Sequence, residues 1–386
     1  MRRRGFSTRA IHPPSPPAAS GGEPVVPPIV TATTFSFDTA ARFGRVMDEE
    51  EYGYLYTRLR NPTLEAVNGV IADLEGAEAA LGFGSGMGAI ASALLTSLEP
   101  GDTLLAPRQI YGTTYTLIER QVRRLGVEVV YADVTDPTAW ERPAEVRYVE
   151  TLANPGFPLA DLAAIAATKG DGLLVVDNTF ASPALCRPLE LGADLVCESG
   201  TKFLGGHHDV TAGVVAGSRD LIARCRSFQT DTGASLDPFA AYLLVRGVKT
   251  LSLRVERQSR NALAAARMLA EHRKVTRVRY VGLDGDPDQA LAVRQLDGSG
   301  AMLAFEVAGG RAAAERLMDG LELCLRATSL GGIETVVSHP ASTSHRQLDD
   351  DQREAAGVTQ GLLRLSVGCE DADDILDDLR RALEHA

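Results

Sequence analysis

Residues 172–202 read GLLVVDNTFASPALCRPLELGADLVCESGTK. Two short Val/Leu runs stand in this stretch, GLLVVDNT (172–179) and ADLVCES (193–199), and Lys202 follows the second. Similar runs flank it: DTLLAP (102–107), VEVVYAD (127–133), VRYVET (146–151) and AGVVAG (212–217). Helical stretches such as TYTLIERQVRRLG (114–126) separate most of them. Near-continuous apolar strands between helices point to an α/β fold, a mainly parallel sheet covered by helices on both faces.

The pattern changes on either side of this core. Residues 1–60 contain HPPSPPAASGGEPVVPP (12–28), through which no helix can run, and read as an extended arm. A large unit spans 61–240. It opens on NPTLEAVNGVIADLEG (61–76), where a cap-type Asn, Pro at the first helical position and a closing Gly delimit a helix. From 241 to 386 a long helical stretch leads into a smaller α+β unit with strands GAMLAFEV and LLRLSVG and a last helix, DADDILDDLRRALEHA.

Composition narrows the function. The chain has 386 residues, 45% hydrophobic and 23% charged, with a formal net charge of −12. That balance argues against nucleic acid or an anionic membrane as partner and leaves small ligands open. No apolar run is long enough to span a membrane, and MRRRGFSTRAIHPP is not followed by the apolar stretch of a secretory signal. Five dispersed cysteines without a CxxC pair read as reduced thiols in the cytoplasm.

Candidate chemistry gathers at strand ends. GFGSGMGAI (82–90) places glycines before a helix, where free N–H groups can hold an anion, but it matches neither GxGxxG nor a P-loop. A nicotinamide dehydrogenase is therefore a poor fit. Asp177 ends one apolar strand and Lys202 follows another, so an acid and an amine can meet at the carboxyl edge of the sheet, where such folds bind ligands. A desolvated lysine is used for Schiff bases with carbonyls, pyridoxal phosphate (PLP) among them, and an aspartate keeps the pyridine nitrogen protonated. Ser199 and Thr201 flank the lysine and suit a phosphate. His207 and His208 are adjacent and lack a metal-site pattern, and Trp140 sits by a turn as a packing residue. The acidic QLDDDQREAAG (347–357) lacks the glycine and terminal glutamate of a calcium loop.

Eight stretches make a resemblance specific: YTRLRNPT, GSGMGAI, YGTTY, ETLANP, VVDNTFASP, ESGTKFLGGHHDV, SLGGIETVVSHPASTSH and LLRLSVGCED. In this order, and over nearly all of the chain beyond residue 25, it resembles the Cys/Met-metabolism (trans-sulfuration) family of PLP enzymes of fold type I. The resemblance implies that Lys202 carries the cofactor and shuttles protons, that Asp177 pairs with the ring nitrogen, and that Tyr111 stacks on the ring and exchanges protons at sulfur. It implies a phosphate held by Gly86, Met87, Ser199 and Thr201, with Tyr56 and Arg58 reaching the phosphate of a neighbouring subunit. Arg364 would grip the substrate carboxylate, assisted by Asn154 and Ser329. Enzymes of this family are tetramers of two active dimers, so a homotetramer is expected.

The same resemblance implies γ-elimination on a sulfur amino acid, methionine or cystathionine, to 2-oxobutanoate, ammonia and a thiol. γ-Replacement on an activated homoserine is the alternative. Many cystathionine-processing relatives carry glutamates where this chain has Leu55 and Thr328, which favours a smaller or less polar thioether. Methionine γ-lyases often carry cysteine where Thr113 stands, so the thioether itself stays open.

Overall fold

The computed structural model describes residues 4–13, 24–154, 156–343, 346, 353 and 357–386. Positions 14–23 of the Pro-rich segment, Pro155, Ser344, His345 and the 347–357 run save Arg353 and Gly357 lie outside them. Seven described strands form the larger sheet: β1 (Ala79–Phe83), β2 (Thr103–Pro107), β3 (Glu128–Ala132), β4 (Val146–Glu150), β5 (Leu173–Asp177), β6 (Leu195–Glu198) and β7 (Gly213–Gly217). Their spatial order is β1-β7-β6-β5-β4-β2-β3, all parallel except β7, which runs against both neighbours. This is the mainly parallel α/β sheet expected from the apolar runs.

Both faces are covered, which explains why the strands do not alternate in polarity. Leu104, Tyr148 and Val175 enter one core, while their neighbours Leu105, Val149, Leu174 and Val176 enter the other. The Pro62–Glu75 helix has the anticipated ends: Asn61 Oδ1 accepts from Thr63 N at 2.8 Å, and Gly76 closes it in a left-handed turn (φ 71°).

The second sheet holds β8 (Val275–Arg279), β9 (Met302–Val307), β10 (Leu325–Arg326), β11 (Val336–Ser338) and β12 (Leu362–Ser366) in the order β10-β11-β12-β9-β8. The long helical stretch divides at Lys249–Thr250 into Pro238–Val248 and Leu251–Glu271. Ala241, Leu244 and Val255 pack in the large-sheet core, whereas Ala262, Ala265 and Leu269 pack under the second sheet, so the longer helix joins the two cores. The arm corrects the expectation of a wholly extended chain. Phe6–Ile11 and Ala40–Met47 are short helices on either side of the proline run, the second started by Thr39, whose side chain accepts from Arg42 N. Proline blocks a helix only where it stands.

Candidate active site

β4, β5 and β6 are neighbours, and each ends in an acid: Glu150, Asp177 and Glu198. The turn after β6 carries Lys202. Its backbone is tied by Lys202 N to Ser199 O (3.1 Å) and Gly206 N to Lys202 O (2.7 Å). Arg254, buried, donates to the carbonyls of Phe203 (2.8 Å) and Gly247 (2.8 Å) and fastens the segment just beyond the lysine. Gly206 faces that guanidinium at φ 74°, so a side chain there is excluded by both strain and space.

A cavity of about 560 Å³ opens at this edge of the sheet. Lys202, Asp177 and Tyr111 line it, as do Gly86, Met87, Ser199 and Thr201, and so do Asn154, Ser329 and Arg364. Burial, helped by the Arg364 charge, pushes the Lys202 amine down to about 8, and its Nζ donates to Ser329 Oγ at 2.6 Å. Asp177 is held by Thr179 N (2.9 Å) and Tyr148 OH (3.4 Å), yet burial raises its carboxyl above the usual range. A cationic ring nitrogen would reverse that shift.

One end of the cavity is the start of the Gly86–Leu95 helix. Ser85 Oγ accepts from Gly88 N at 3.0 Å, so the N–H groups of Gly86 and Met87 remain without an intrahelical acceptor. A Cβ on Gly86 would stand 2.8 Å from Ser199 Cβ, so the close approach of helix and lysine turn requires glycine. Thr201 lines the cavity, but its hydroxyl already exchanges bonds with Ala212 N (3.0 Å) and O (3.2 Å); a phosphate would compete with backbone for it. Ser199 Oγ has no such partner among the described residues. These groups fit PLP: an amine, an acid and an anion cradle face one volume.

Arg364, on β12, lines another wall of the cavity. The side chain is buried, donates to Asn154 Oδ1 (3.1 Å) and Ser329 O (3.0 Å), and pairs with no carboxylate among the described residues. Burial pushes it down to about 10, so it stays charged at neutral pH. Ser329 occupies the left-handed region (φ 76°), a strained placement for a serine that serves both Lys202 and Arg364.

Tyr56 and Arg58 lie apart from this cavity. Arg58 donates to Thr230 O at 2.6 Å and stands over the Tyr56 ring, 5.5 Å from its centroid. His207 bonds Gly205 O at 2.8 Å, and Trp140, buried, donates to Asp133 O at 3.0 Å.

The family Cys/Met metabolism PLP-dependent enzyme matches residues 7–384. This chain belongs to that family. PLP is its cofactor, and it is an enzyme. It is 44% identical to the L-methionine gamma-lyase of Pseudomonas putida, over 98% of this chain and 97% of that one. It is also 44% identical to the L-methionine gamma-lyase of Porphyromonas gingivalis, over 100% and 98%. The cystathionine gamma synthase structure from Xanthomonas oryzae pv. oryzae superposes with a TM-score of 0.93 at 37% identity, covering 99% of this chain and 98% of that one.

Sequence reasoning missed Glu150, Tyr148 and Thr179, which touch or line the site. A signal for Glu150 existed: VRYVE ends in an acid as LLVVD does. It also missed a buried acid pair below the lysine turn. Glu75 and Glu198 share a hydrogen bond, and no other N–H or O–H among the described residues reaches Glu75 Oε2 or Glu198 Oε1, so one must carry a proton. Burial pushes Glu75 up to about 7 and Glu198 well above the carboxylate range. The unfolded chain loses the Glu75 proton above about pH 4.5 while the folded chain keeps it to about 7, so stability falls as pH rises through that window. Glu75→Gln, which supplies a permanent donor, is expected to raise Tm by a few degrees at pH 8 and to leave it unchanged at pH 5. Calorimetry at both pH values checks this; an equal change at both contradicts the shared proton.

Proposed function

We propose that the chain is a carbon–sulfur γ-lyase that converts L-methionine, or a thioether like it, to 2-oxobutanoate, ammonia and a thiol. The observation that carries this reading is one cavity holding a desolvated amine, a buried acid and a guanidinium free to take a carboxylate. The two L-methionine gamma-lyases at 44% identity support it. When bound, PLP supplies an electron-withdrawing ring that stabilises the electron pair left by the departing α-proton.

In this reading Lys202 Nζ would hold the cofactor, then as a free amine take the α-proton and move a β-proton so that the γ-substituent can leave. With a pKa of about 8, roughly a quarter of such amines are neutral at pH 7.5, against about a thousandth for an ordinary lysine. Asp177 would pair with the ring nitrogen, Tyr111 would face the ring and exchange protons at sulfur, and the Gly86 and Met87 N–H groups with Ser199 and Thr201 would hold the phosphate. Arg364 would bind the substrate carboxylate through its two-pronged fork, with Asn154 and Ser329 holding the guanidinium. That orients the Cα–H bond, which decides which bond breaks.

Glu150 and Asp177 are the only carboxylates lining the cavity among the described residues, and both are bonded to backbone N–H groups. Among the described residues no acid is left for the distal ammonium of cystathionine, which favours methionine. Arg346 on the same cavity wall is the feature that suits cystathionine, whose second carboxylate it could meet. Tyr56 and Arg58, outside their own cavity, fit a phosphate in a second copy, so we read the active unit as a dimer and the assembly as a tetramer. Five free thiols, four of them buried, suit the cytoplasm.

Product analysis tests the reaction. The enzyme is incubated with L-methionine, L-cystathionine, and O-acylhomoserine with and without cysteine, and 2-oxobutanoate and new thioether are measured. Methionine is expected to yield 2-oxobutanoate and methanethiol. Product only from acylhomoserine plus thiol would make the enzyme a γ-replacement synthase instead.

A further inference from the structure

Glu150 is an uncommon kind of buried acid. It is 4% exposed, ends β4, stands in register with Asp177 on β5, and lines the cavity. No basic side chain pairs with it among the described residues. Its two oxygens are used by two different loops: Oε1 accepts from Tyr111 N at 2.6 Å and Oε2 from Asn154 N at 3.1 Å. A buried carboxylate costs free energy unless its lone pairs are met: burial and the neighbouring Asp177 charge push Glu150 up to about 8, and the two backbone amides are what oppose that shift.

Those two bonds extend a chain already described. Asn154 Oδ1 accepts from Arg364, Arg364 donates to Ser329 O, and Ser329 Oγ accepts from Lys202. Tyr111 is 41% exposed, and its backbone N–H is held by Glu150. We propose that Glu150 is a positioning residue for the reaction, tying the cavity-lining Tyr111 to the Asn154–Arg364–Ser329–Lys202 chain. This rests on the functional reading above. Glutamine cannot replace it: an amide has one acceptor, so one of the two N–H groups would face an NH2 donor.

Glu150→Gln is therefore expected to lower kcat/KM for L-methionine about tenfold to a hundredfold. The cofactor's visible absorption should persist, because Lys202 is untouched, while its visible circular dichroism changes as Tyr111 shifts. In a double-mutant cycle with Tyr111→Ala, the combined loss should fall well short of the product of the single losses. Glu150→Asp, whose shorter arm reaches one amide, provides a charged second variant and should behave like Glu150→Gln. Unchanged circular dichroism with kcat/KM within twofold of wild type, or strictly multiplicative losses, would overturn the proposal. If Lys202→Ala kept the absorption band, the functional reading itself would fail, independently of Glu150.

Discussion

Lys202→Ala is expected to give a protein without the yellow band of bound cofactor and with activity reduced by about 10⁴-fold or more. In the proposed mechanism two separate duties end together: the covalent hold on the cofactor and the proton transfers at the substrate's carbons. The fold should survive, because the substitution removes a desolvated amine that burial already disfavours in its charged form. Its side-chain partner among the described residues, Ser329 Oγ, can turn to water in the cavity. Thermal denaturation of the cofactor-free proteins should therefore place the variant within a few degrees of wild type. Lys202→Arg separates charge from proton transfer. It keeps a positive charge but offers no neutral amine near neutral pH, so it should fail as Lys202→Ala does. A variant that retained both colour and turnover would show that the amine is elsewhere.

Arg364→Lys should weaken amino-acid capture and leave the cofactor alone. The guanidinium offers a planar fork to a carboxylate while its remaining N–H groups hold Asn154 Oδ1 and Ser329 O. One ammonium cannot do both. Losing one charge-assisted bond of about 1.5–3 kcal/mol corresponds to a rise in KM of about tenfold to 150-fold. The absorption band should be intact, since Arg364 donates to Asn154 and Ser329 and not to Lys202 or Asp177. Steady-state kinetics with a parallel absorption spectrum decide it; loss of colour with KM unchanged would move Arg364 to the cofactor.

Much of the architecture was legible along the chain because its causes are local. Asn61, Pro62 and Gly76 act within a few residues of the helix they delimit, and a strand buried on both faces must be apolar throughout, as LLVVD is. The helix break at Lys249–Thr250 was not legible, because both sides have apolar residues at helical spacing and the turn is set by which core each side meets. The short Ala40–Met47 helix was hidden by the prolines that precede it, although its Thr39 cap was in view.

The identities that define the site, an amine after β6, an acid ending β5 and glycines before a helix, belong to the sequence by itself, since each follows from residue type and position beside a strand. What only the tertiary structure decided is who touches whom. Glu150 becomes a bridge because Tyr111, on another loop, presents its N–H to it, and Ser329 joins Lys202 to Arg364 across 127 and 35 residues of chain. Hydrogen bonds are set by separations of about 3 Å and by direction. No spacing in the sequence encodes such contacts between distant segments; they exist only once the two sheets are packed on the helix that joins them.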